Sequence, residues 1–453
     1  MPLNNCKLGI NSQIHLRNHL SAILSALFGF FVSIYFFYPG FMTNDSVIAL
    51  DEARTGQFTD LQPPLMAWVW GKFDQIVPGP IGMLVFHNAL FWTALALLAI
   101  SIFDKPRARA LFVLSFGFFP PIFSLLGMIW KDVGMGSALL LGSSLVLLAQ
   151  KKASRILLAL SIPSFVYAFT IRHNAILIAP LFCLWISLNI TKKIRSALFV
   201  TVFLFCFFIA FLKISTAVLI QDRRQYTEQA IYIQDLAGIS IDQGSLQFPD
   251  SFKQISTNLT LDWVKKGYFP PDNANQLCYT GHPWITSQPI IDALAGEWKK
   301  QILKHPVSYL KHRLRVFWYF LGFRTKKYLT YHYIGQRDPV SGDPKYSKLH
   351  QKIFHFGTRI LDRVNQTPVF SSGTYMILLL VLCFRRYRRM GFQYLFSLQP
   401  EQSAPWIIGC SGIVYFLSYF LIVSGADFRY SWWMVVATML FFTFEVRSRR
   451  DLQ

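Results

Sequence analysis

His305-Pro306-Val307-Ser308-Tyr309-Leu310-Lys311-His312-Arg313-Leu314-Arg315-Val316-Phe317-Trp318-Tyr319-Phe320-Leu321-Gly322-Phe323 is the stretch on which the topology of this chain turns. Its second half is apolar enough to pass for a membrane span, while Lys311, Arg313 and Arg315 crowd its first half. Counted alone as a span, it would reverse the sidedness of everything that follows. The rest of the sequence decides whether that is acceptable.

Uncharged apolar runs long enough for a bilayer occupy about 20–38, 81–103, 110–130, 133–150, 196–212 and 405–424. Shorter ones occupy 156–171, 175–190, 369–384 and 431–444. Phe36-Phe37-Tyr38-Pro39-Gly40 does not resemble a signal-peptide cleavage site, so the first run reads as a retained anchor. Between the runs, Lys and Arg cluster at every second turn: Lys105-Pro106-Arg107-Ala108-Arg109, Lys151-Lys152-Ala153-Ser154-Arg155, Lys192-Lys193-Ile194-Arg195, Arg385-Arg386-Tyr387-Arg388-Arg389 and Arg447-Ser448-Arg449-Arg450. That alternation marks cytoplasmic loops, and it predicts about ten spans with both termini inside. A span at 305–323 would put the last two clusters outside. The segment therefore reads as an amphipathic helix on the outer surface, with a basic face for phosphates and an apolar face for lipid.

The fold class expected is an all-α polytopic membrane protein. It divides into an N-terminal membrane module over 1–220, an extracytoplasmic, mainly helical region over 221–368 and a C-terminal membrane module over 369–453. The formal net charge of +21 then needs no nucleic acid, because positive-inside loops and the basic stretch from 311 to 363 supply most of it. A Walker loop, a dinucleotide glycine fingerprint and a zinc-type Cys/His cluster are all missing, which moves ATP-driven transport and redox chemistry out of the front rank. Cys278 alone falls in the outer region, so a disulfide scaffold within one chain is not expected there.

Charges at the outer ends of the spans carry the chemistry. The first outer loop holds Tyr38-Pro39-Gly40, then Asn44-Asp45-Ser46, then Asp60-Leu61-Gln62-Pro63-Pro64. A carboxylate held there meets the head group of a lipid-borne substrate at its own depth. Asp45 reads equally as an N-cap of a helix beginning near Val47, and Asp60 as a turn residue. Trp130-Lys131-Asp132 fills a very short outer connection, where Lys131 either serves a site or snorkels as an interfacial anchor. Arg172-His173-Asn174 puts an Arg on the outer side against the positive-inside bias, as a site residue or as a surface anchor. In Asp427-Phe428-Arg429-Tyr430, Arg429 can clamp a phosphate bidentately, with Asp427 orienting it and Tyr430 donating a hydrogen bond. The plainer account is a local Asp427–Arg429 pair beside an aromatic belt of Trp432 and Trp433.

In their order and shared side these motifs, with His305-Pro306-Val307-Ser308-Tyr309-Leu310, resemble the polytopic GT-C glycosyltransferases. The nearest branch is the bacterial Rgt-like and protein-mannosyltransferase-like group, over about 20–215 and 300–445. The resemblance implies a polyprenyl-phosphate-linked sugar as donor and a glycan, lipid or protein of the cell envelope as acceptor. It implies a bacterial inner-membrane location with an extracytoplasmic active site. It also implies that Asp45 acts near the acceptor, and that Asp132, Lys131, Arg172 and Arg429 help place acceptor and donor phosphate. Relatives often carry His-Pro-Pro where Gln62-Pro63-Pro64 stands, so a histidine role does not carry over. Independently of the resemblance, glycosyl transfer needs a base for the acceptor hydroxyl and cations for the departing phosphate, and Asp45 with Arg429, Arg172 or Lys131 can supply both. Asp45 and Asp132 leave room for a divalent metal without requiring one. A lipid or glycan transporter is the alternative, but it should carry ionisable groups near the bilayer midplane, where little beyond His87-Asn88 is found.

Overall fold

The long apolar runs become helices in the computed structural model, which describes residues 4–191, 193–220, 223–256, 259–271, 284–323, 346–391, 400–423 and 425–450. Among these residues the protein is all-helical, apart from one isolated bridge between Phe41 and Met128. Six helical segments among the described residues are long and apolar enough to cross a membrane: His19–Phe37, Ile81–Ile102, Lys131–Lys152, His173–Ile190, Ile194–Ile220 and Gln402–Ile422. Arg155–Ile171 is a shorter apolar helix, and Ser372–Met390 and Trp432–Arg450 are helices whose last turns enter the Arg clusters. At about 1.5 Å per residue, even a 17-residue helix reaches ~25 Å.

The apolar run from 110 to 130 is not one helix. Pro106–Gly117 is followed by a single turn, Pro120–Phe123, and then by irregular backbone up to Trp130. Pro120 and Pro121 explain the break, since each lacks an N–H and disfavours helical backbone before it.

The Lys131 helix is the axis of the bundle and is almost wholly buried, whereas Ile194–Ile220 turns Phe199, Val202, Phe203 and Val218 outward. Close approach depends on glycine: a Cβ on Gly134 would lie 2.5 Å from the His87 ring, and one on Gly136 2.4 Å from the Trp432 ring. The basic ends of the helices are tied down together. Arg109 donates to the Phe103 carbonyl at 2.7 Å, Lys151 to that of Ile100 at 3.0 Å, and Arg386 and Arg389 share Glu445 at 2.7 and 2.9 Å.

The helices Gln229–Gln243, Asp250–Ile255, Leu261–Gly267 and Gln288–Lys304 enclose a core of their own, built from Ile233, Leu236, Phe252, Val264 and Leu294. The Pro306–Phe320 helix joins this unit to the membrane part. It exposes Val307, Leu310, Leu314 and Trp318, as an apolar outer face requires. Its basic face is open only in part, since Arg315 is exposed while the other two cations are engaged within the protein. Arg313 is fully buried, bonding Asp235 at 2.7 Å and the carbonyl of Val423 at 3.1 Å, and Lys311 is turned to Asp242 at 3.3 Å. Burial holds His312 below its ordinary pKa, so it is neutral at pH 7. With its Nε2–H toward Asp235 at 3.2 Å, its Nδ1 accepts the Tyr268 hydroxyl at 2.8 Å. Asp235→Ala would strand Arg313 as a buried unpaired charge, so a loss of about 3–5 kcal/mol is expected. Thermal unfolding of the full chain in detergent checks this, and an unchanged midpoint would show that the network does not hold the two parts together.

Cys278 lies outside the described residues. Cys183, Cys206, Cys383 and Cys410 are free thiols on membrane helices.

Candidate functional site

Backbone hydrogen bonds bring the loop that follows the first apolar helix to the Lys131 helix. Phe41 N–H donates to the Gly127 carbonyl at 2.8 Å, and Ile129 N–H donates to the Phe41 carbonyl at 2.9 Å. Thr43 then caps the helix Asn44–Thr55, and the Ser46 hydroxyl, which accepts the Thr43 N–H, donates to the Ile129 carbonyl at 2.8 Å. Asp45 is therefore not the cap. It stands in the first turn, where the helix dipole favours a carboxylate and its side chain is free to point elsewhere. Gln62 donates to the Asp45 carbonyl at 2.9 Å and steadies the loop.

Asp45 meets Arg429 at 2.8 Å. Arg429 also pairs with Asp427 at 3.2 Å, and its guanidinium lies 4.7 Å from the Trp130 ring and 5.0 Å from the Tyr430 ring. Asp427 accepts the Arg429 N–H as well, so the local pair is real and serves to orient this Arg toward Asp45. Arg172 pairs with the buried Asp132 at 3.2 Å, donates to the Tyr419 hydroxyl at 2.7 Å and lies 4.9 Å from the Tyr430 ring. Tyr419 stacks on Tyr430 and shares a 2.9 Å hydrogen bond with Tyr415.

Lys131 opens the helix that carries Asp132. It is within electrostatic reach of Asp45, Asp132, Arg172 and Arg429, yet it makes no hydrogen bond or ion pair among the described residues. Burial pushes the Asp45 carboxyl upward, but Arg429, Lys131 and Arg172 outweigh it and hold the group at about 2. Its side chain keeps 38% of its surface open, against 13% for Arg429.

The remaining expected residues have other parts. Asp60 accepts the backbone N–H of Gln225 and so ties the helical region after Ile220 to the first loop, outside the ring of ion pairs. Asn174 donates to Ser418 at 3.1 Å, which docks its turn on the Gln402–Ile422 span. His173 is exposed on the same turn, within electrostatic reach of Asp60 and Lys131.

No protein-family model, curated protein or solved structure matches this chain.

The chemistry of the site therefore rests on its geometry. A half-open carboxylate, two clamped guanidiniums and an unpaired ammonium share one end of the bundle, an arrangement suited to an anion with a hydroxyl beside it. A metal fits less well. Asp45 and Asp132 are each matched to a guanidinium, and among the described residues no three His, Cys, Asp or Glu side chains converge.

Tyr415 and Tyr419 were missed in the sequence because they lie within an apolar run. Their spacing of four residues, which stacks two hydroxyls on one helix face, was the available signal.

Proposed function

We propose that this protein is a GT-C-type membrane glycosyltransferase. It transfers a sugar from a polyprenyl-phosphate donor to a cell-envelope acceptor on the extracytoplasmic face of the bacterial inner membrane, within a fold of about ten spans whose termini are both cytoplasmic. The observation that carries this reading is the unpaired Lys131 among Arg172, Arg429 and Asp45. Three cations within electrostatic reach of Asp45 exceed what anchoring needs and match a phosphate that gains charge as it leaves.

In the reaction, an acceptor hydroxyl attacks the anomeric carbon from the face opposite the phosphate. The new C–O bond forms as the sugar–phosphate bond breaks, the hydroxyl proton passes to Asp45, and polyprenyl phosphate departs onto Lys131, Arg172 and Arg429. The configuration inverts, with no covalent sugar intermediate. With a pKa of about 2 Asp45 is a feeble base, but a donor phosphate that takes up Arg429 and Lys131 removes the charges holding it down. Donor binding thereby readies the base.

The transporter reading is weaker, because the midplane polar groups are already engaged: His87 with the Tyr167 hydroxyl at 3.0 Å, and Asn88 with the Leu126 carbonyl at 3.0 Å.

Lys131→Gln should weaken binding of polyprenyl monophosphate to the protein in nanodiscs by roughly ten- to a hundredfold, the worth of a charge-assisted hydrogen bond. Unchanged affinity would remove Lys131 from the donor site. For sidedness, Asp250→Cys combined with Cys278→Ser should react with an impermeant thiol reagent in intact spheroplasts. Labelling only after lysis would overturn the outer assignment.

A further inference from the structure

The helix Lys348–Asn365 carries three separate faces. One packs on the outer end of the first span: His350 meets the Tyr35 carbonyl at 2.9 Å, and Phe354 lies 5.3 Å from Phe36 and 5.7 Å from Phe41. Gly357 permits this, since a Cβ there would stand 2.5 Å from the Phe36 ring. The second face is apolar and open, with Leu349 63%, Ile353 40%, Phe356 68% and Ile360 44% exposed at a spacing of four, three and four residues. The third is a row of exposed cations, Lys348, Lys352, Arg359 and Arg363, with His355 among them. None of these four cations makes an ion pair or hydrogen bond among the described residues. Asp362 is the only acidic residue in the helix.

Both ends of the helix sit at one level of the bundle. Its first turns touch Tyr35 and Phe36, near the end of the Asn4–Phe37 helix, and its last leads through Pro368–Phe370 into the start of the Ser372–Met390 helix. A helix strung between two such ends lies across the bundle, along the membrane surface. The spans it joins expose apolar side chains of their own, among them Phe28, Phe31 and Tyr35 on one and Ile377 and Val381 on the other.

We propose that Lys348–Asn365 is an interfacial helix that recognises anionic phospholipid. Leu349, Ile353, Phe356 and Ile360 enter the acyl boundary, and Lys348, Lys352, Arg359 and Arg363 hold the lipid phosphates above it. A neutral surface would satisfy the apolar stripe alone; the unpaired cation row beside it selects negative head groups. Phe354, on the packed face of the same helix, lies against Phe41, so the lipid-binding helix touches the loop that carries Asp45. The inference needs only the membrane setting and stands apart from the transferase reading.

The test places a benzophenone side chain at Phe356 of the full-length protein, in vesicles of equal parts phosphatidylglycerol and phosphatidylcholine. Irradiation should give lipid adducts in which phosphatidylglycerol exceeds phosphatidylcholine by about fivefold or more, the preference that one cation near an anionic surface provides. Combining Lys352→Gln, Arg359→Gln and Arg363→Gln should bring the adducts close to equal, and Lys352→Gln alone should lower the excess if the triple variant fails to accumulate. Adducts to protein in place of lipid, or an excess that these substitutions leave unchanged, would overturn the proposal.

Discussion

Asp45→Asn is expected to lower sugar transfer by about a hundredfold to ten-thousandfold, the usual contribution of a positioned general base. The substitution keeps size and polarity while removing the proton acceptor. Because Thr43 caps the helix and Gln62 holds the backbone of Asp45, its side chain is not needed to shape the loop. The ion pair to Arg429 is lost, but Arg429 keeps Asp427, and a pair with a half-open carboxylate contributes roughly 1 kcal/mol at most. Expression and thermal stability should therefore change little while turnover collapses. Near-normal transfer in membranes supplied with donor lipid would remove Asp45 as the base and turn attention to Asp132 and Asp60.

Arg429→Ala is expected to cost on the order of a hundred- to a thousandfold in kcat, as removal of a transition-state charge partner does. Arg429→Lys should recover part of this. Lys keeps the charge, but it has neither the fork that reaches Asp45 and Asp427 together nor the flat group that lies against the Trp130 and Tyr430 rings. The pH profile should move as well. Asp45 is ionised above about 2 in the intact protein. Without Arg429 its carboxyl climbs, and the base is lost to protonation at a higher pH. The acid limb of kcat/KM should thus shift upward in Arg429→Ala, and an unmoved limb would separate Arg429 from the base.

Much of the site was legible because topology does the work. Lys131, Asp132, Arg172, Asp427, Arg429 and Tyr430 lie at or beside the ends of apolar helices, and Asp45 opens the short helix that follows the first of them, so side chains far apart in sequence meet at one end of the bundle. What sequence could not supply is which end residue faces which. Asp60 has the same kind of position as Asp45, yet it bonds the Gln225 backbone and not a cation. Arg313 shows the same limit: its basic run predicts an open phosphate face, but Asp235, 78 residues away, turns it inward. The stronger amphipathic helix lies further on, at Lys348–Asn365, hidden by the interleaving of its apolar and basic faces. Tyr415 and Tyr419 were legible only as two hydroxyls on one helix face; what gives them a part in the site is the Arg172 that reaches Tyr419.

Mass analysis of cell-envelope glycans tests the central claim most directly, comparing cells with the intact protein, cells without it and cells carrying Asp45→Asn. The expected result is one glycan or glycoconjugate that is short by a single sugar in both of the latter, with the polyprenyl-phosphate-linked donor accumulating. Identical glycan masses in all three would contradict transfer by this protein.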